Sequence, residues 1–124
     1  MQYEREPLAY PAAMIDSCLA LFAENEFPLG RTVGFAEIDW VFCLNRAGRQ
    51  SPHRFEERTE ALESFARIYV DYLRALDLAE EPAIRDLHAL FGVICALAEL
   101  QIALPGFIRT ERPLRLVLDR RPFI

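Results

Sequence analysis

The sequence predicts an all-α fold: a compact four-helix bundle-like domain spanning residues 1–124, with an extended C-terminal arm. Three observations carry that expectation. Four segments repeat apolar residues by threes and fours rather than in alternation. Proline falls between those segments or at their first position, never inside them. At 124 residues and 52% hydrophobic, the chain is long and apolar enough to bury one core without disulfide staples.

The first helix is placed at about 11–25, because Pro11 suits a first helical position and Met14, Ile15, Cys18, Leu21 and Phe22 come after it at helical spacing. Residues 26–34, EFPLGRTVG, read as a loop. The second helix, about 35–47, carries Phe35, Ile38, Val41 and Phe42 on one side, with Trp40, Cys43 and Leu44 widening the face. Trp40 is therefore expected to be buried, with its indole N–H on a carboxylate or a backbone carbonyl. Gly48 fits the left-handed residue that ends many helices.

Ser51 and Pro52 read as the N-cap and first position of a third helix, about 52–77. Its stripe is Phe55, Leu62, Phe65, Tyr69, Tyr72 and Leu76, and its outer face sets Glu63, Arg67, Asp71 and Arg74 one turn apart, spaced for ion pairs. Pro82 opens the fourth helix, about 83–104. It is apolar almost all round from Ala89 to Ala98, so it is placed at the centre of the bundle. Ten uncharged residues are too few for a membrane span. Residues 105–124 are interrupted by Pro113 and Pro122, and Leu114, Leu116 and Leu118 alternate as in an extended segment. Phe107, Ile108, Leu114 and Val117 make this tail too apolar to be disordered, so it is expected to dock on the bundle or on a second copy.

Several functions are excluded or disfavoured. The net charge of −5 disfavours general nucleic-acid binding. It is uneven: residues 45–58 hold four arginines against two glutamates, and residues 105–124 hold five against two acids, leaving −10 on the remainder. All 14 basic residues are arginine, spread from Arg5 to Arg121, which reads as a compositional bias. The amino terminus lacks the apolar run of a signal peptide. The three cysteines, Cys18, Cys43 and Cys95, form no CxxC and fall in apolar patterns, so they read as reduced thiols in a cytoplasmic protein.

No catalytic, metal-ligating or cofactor-binding residue is assigned. His53 lies three residues after Gln50 and His88 three after Arg85, so the ExxH pairs of di-iron bundles are absent. The five glycines are scattered, and no serine lies in a GxSxG turn. Glu56, Glu57 and Glu60 in the run EERTE resemble the EExxE element of all-helical MazG-type nucleotide pyrophosphohydrolases, which would make them magnesium-holding carboxylates. That family's second element, ExxD on a following helix, is missing here, so the glutamates are assigned to a solvated helix face.

One cluster remains. Arg46, Arg49, His53 and Arg54 surround the turn between the second and third helices, beside free amides and a positive helix dipole. They are candidates for binding a small anionic or phosphorylated ligand. The competing expectation, which is preferred, is that these arginines pair with Glu37, Asp39 or Glu57 and brace a helix corner. Glu99, set in the most apolar helix, needs a buried arginine partner of its own. By elimination, and from the apolar excess of the fourth helix, the chain reads as a small interaction or scaffold protein without identified catalysis. The expected partners are a second copy, met through the fourth helix and the arm, and an unidentified protein, with neither nucleic acid nor membrane.

Overall fold

The computed structural model describes residues 7–24 and 35–117. The predicted 26–34 loop, and the tail from Leu118 onward, lie outside the described residues. Four α-helices form the domain: α1 (Pro11–Ala23), α2 (Ala36–Gln50), α3 (Phe55–Ala75) and α4 (Leu87–Ala103). A short 3-10 turn, Pro82–Arg85, precedes α4. No strand occurs among the described residues. No described helix is long and apolar enough to cross a membrane.

The central helix is α2, not α4 as its hydrophobicity suggested. It packs against all three other helices, most extensively α1 and α4. Ile38, Val41 and Leu44 form its buried stripe, and Trp40, Asn45, Arg46 and Ala47 are buried beside it. A helix buried on two sides in this way must pair any polar group it brings inside. Trp40 does so: its Nε1 donates to the Cys18 carbonyl of α1 at 2.9 Å. Its ring packs between Phe22 of α1, at 5.4 Å, and Phe65 of α3, at 5.1 Å. Phe65 in turn stacks on Tyr69. Each of the buried rings contributes about 1.5–3 kcal/mol through removal of apolar surface from water.

Three helix ends depart from the local rules. Gly48 lies inside α2, which continues to Gln50. Ser51 is extended, and its Oγ accepts from the His53 amide at 3.2 Å, making a local turn four residues ahead of the actual start of α3. The residue before that start, Arg54, has φ 51°, left-handed backbone that side chains other than glycine rarely adopt. Phe55, placed in the apolar stripe by its spacing, is exposed. The turn begun by Pro82 ends at Arg85. Asp86 then caps α4, its Oδ1 accepting from the His88 amide at 2.9 Å. His88 is exposed and lies against the Phe35 ring at 4.0 Å. Gly92, one turn on, allows close packing: an added Cβ would meet the same ring at 3.1 Å.

A buried polar network joins α2 to α4. Arg46 grips Glu99 through two bonds, Nη2 to Oε1 at 3.0 Å and Nη1 to Oε2 at 3.2 Å. Asn45 Nδ2 donates to Glu99 Oε2 at 2.9 Å and to the Glu99 carbonyl at 3.1 Å. The Arg46 guanidinium also lies over the Phe42 ring. The sequence expectation that Glu99 finds a buried arginine is met by these contacts.

The arm folds back over α4. Gly106, at φ 80°, turns the chain where a side chain would be strained. Gln101 then holds the returning segment: its Nε2 donates to Thr110 Oγ1 at 2.9 Å, and its Oε1 accepts from the Leu114 amide at 3.0 Å.

Removing one partner of the Arg46–Glu99 bridge strands a buried charge. Arg46→Ala and Glu99→Ala are each expected to cost about 3–5 kcal/mol in urea denaturation, and Arg46→Met with Glu99→Leu much less. Single losses below about 1 kcal/mol would show that the bridge does not constrain the packing.

Candidate functional site

The arginine-rich turn does not gather its four candidate residues into one site. Arg46 faces α4 and is buried against Glu99. Arg49 is exposed at the end of α2. Among the described residues, His53 and Arg54 converge, and they do so on a carboxylate. His53 Nε2 and Arg54 Nη1 both contact Asp16 Oδ1 of α1, at 2.8 and 2.9 Å. Arg54 Nη2 also donates to Glu57. Glu57 is one of the three expected partners; Asp16 was not among them. Asp16 and Glu57 are held below the usual carboxylate range, Asp16 by its bonds to His53 and then Arg54, Glu57 chiefly by Arg54.

Beneath this surface lies Arg58, one helical turn further along α3. Its side chain is buried, and it donates to two turn carbonyls, Nε to His53 at 3.0 Å and Nη2 to Ser51 at 3.2 Å. Gly48 makes room for it: a Cβ there would sit 2.0 Å from Arg58 Nη1. Gly48 thus serves a close approach within α2 rather than a helix end. Burial pulls the Arg58 guanidinium below its ordinary range. The turn is a bracket in which cations meet carboxylates and carbonyls of the same chain.

Glu56 and Glu60, from the half motif on α3, are exposed, and Glu57 is tied to Arg54. Among the described residues no group of three His, Cys, Asp or Glu side chains is placed to hold a metal. The three cysteines are free, with Cys18 and Cys95 buried and Cys43 half-buried. Burial raises all three thiols, Cys18 to about 11. Few thiolates therefore exist at neutral pH to act as nucleophiles.

A different feature has the shape of a site. A cleft of about 600 Å³ opens between α3, α4 and the returning arm. Val70 on α3, Leu97 on α4 and Ile108 on the arm line it, and Arg67, Asp71, Arg74 and Arg109 supply its charges. Arg67, Asp71 and Arg74 are the stripe whose spacing suggested ion pairs, yet no ion pair joins them among the described residues. Arg67 instead lies over the Phe107 ring at 5.2 Å. The spacing on α3 was visible in the sequence. The opposite wall was not, because the Gly106 turn and the Gln101 clasp bring it there from beyond α4. No protein-family model, curated protein or solved structure matches the chain.

Gly48→Ala should lower stability by about 1–2 kcal/mol, because displacing the Arg58 guanidinium outweighs the helix-propensity gain of about 1 kcal/mol. In an Arg58→Met background the same substitution should be neutral or stabilising in thermal melts. A second expectation concerns acid. Because the folded-state values of Asp16 and Glu57 are depressed, their contribution is complete above the unfolded carboxylate range, near about pH 4, and disappears as pH falls through the folded values. Asp16→Asn should therefore flatten the fall of urea midpoint with pH between about 5 and 2. An unchanged acid limb would show that the Asp16 contacts contribute nothing in solution.

Proposed function

We propose that this protein is a small helical interaction protein that associates with a second copy of itself through the outward side of α4. The observation that carries this reading is the lack of charge on that side. Glu99 is the one charged residue between Leu87 and Ala103, and it points into the core. The outward side shows Leu87, Ile94 and Ile102, which are 81%, 43% and 52% exposed.

Two copies that meet through this uncharged helix face bring no like charges into direct contact. Two such faces are self-complementary about a two-fold axis, the commonest symmetry of soluble oligomers. The free cysteines support placing the protein in a reducing compartment such as the cytoplasm. Binding of a small anion at the α2–α3 turn is the weaker reading, because His53 and Arg54 already contact Asp16 and Glu57.

Light scattering of the purified chain should give twice the monomer mass at high micromolar concentration. Ile94→Glu, which puts charge at the middle of the patch, should return it to the monomer without lowering helix content. A wild-type monomer at that concentration would overturn the proposal.

A further inference from the structure

We infer that the cleft between α3, α4 and the arm binds an amphipathic organic anion, an unbranched aliphatic carboxylate with its chain on the apolar floor and its head at the arginine rim. At about 600 Å³ the cleft falls within the range of small-molecule sites, which combine an apolar lining with a few convergent polar groups. The floor of Val70, Leu97 and Ile108 offers no hydrogen-bonding side chain, so it suits a hydrocarbon.

The rim has the opposite character. Arg67, Arg74 and Arg109 against Asp71 give the cleft a local charge of +2 on a chain of −5. Among the described residues none of these three arginines is in an ion pair, unlike Arg46 and Arg54. Guanidinium forks match carboxylate geometry through paired bonds. The ring of Phe107 beneath Arg67 holds that guanidinium at the cleft through cation–π attraction. An anion without an apolar tail would leave the floor wet. An alcohol of the same length would leave the rim unanswered. Both halves of the cleft are used only by a molecule that has both.

The test is calorimetric titration of the full chain with decanoate, octanoate, decanol and acetate, each below its aggregation limit. Decanoate should bind saturably at one site and octanoate more weakly, by about fourfold per methylene removed. Decanol and acetate should each bind at least about tenfold more weakly than decanoate. Arg67→Gln and Arg109→Gln, both at exposed positions, should each weaken decanoate about tenfold. Val70→Glu should abolish binding, whereas Arg49→Gln at the distant turn should leave it unchanged. Thermal melts of every variant would establish that it is folded. Decanol binding as tightly as decanoate would overturn the inference, as would affinity indifferent to Arg67→Gln and Arg109→Gln. Absence of saturable binding by the wild-type chain would overturn it equally.

Discussion

The bridge from Arg46 to Glu99 sets the rotation of α4, and that rotation determines much of the outer surface. A carboxylate at 1% exposure loses its hydration, a penalty of several kcal/mol that attraction to one guanidinium offsets only with good geometry. Here both carboxylate oxygens are bonded by Arg46, and Asn45 adds a third donor. Such a network adds less to net stability than its bonds suggest. Its effect is selective: any rotation of α4 against α2 leaves charges buried and unanswered. With Glu99 fixed inward, Gln101 lies about 200° further round the helix. There it can clasp the arm that walls the cleft. Leu87, Ile94 and Ile102 are left facing outward, which creates the apolar patch.

The second organising point is the corner between α2 and α3. Arg58 fills the space over Gly48 and satisfies turn carbonyls that the broken helix would leave open. Arg54 adopts left-handed backbone, at a cost of about 1–2 kcal/mol. In that conformation its guanidinium reaches both Asp16 and Glu57. The corner therefore ties α1 to α3 as well as α2 to α3. A dense cluster of charge in sequence has become a set of mutual contacts.

The features legible in the sequence were those that depend on near neighbours. The periodicities of α1, α2 and α4 placed those helices to within a few residues, and the burial of Trp40 could be read from its apolar surroundings. Errors arose where a distant group decided the local outcome. Gly48, Ser51 and Pro52 carry the signs of a helix stop and start. Arg58, from the following helix, occupies the space beside Gly48, and α2 runs on to Gln50. Proximity along the chain groups Arg46, Arg49, His53 and Arg54, and the structure adds that Arg46 bonds Glu99 of α4. The hydrophobicity of α4 suggested a central position, but that place belongs to α2, whose polar Asn45 and Arg46 are paired inside. The cleft was hidden for the same reason: half of it comes from the arm.

Among the described residues the two buried cations, Arg46 and Arg58, are both guanidinium groups. A lysine ammonium in either place could shed its proton as burial lowered its affinity for it, and the fold would then change character in mild alkali. Guanidinium starts from so high an affinity for its proton that burial leaves it charged. The contacts that Arg58 makes at the corner therefore do not switch as the medium becomes mildly basic. In this chain the choice of arginine over lysine keeps the buried cation of the corner charged in mild alkali.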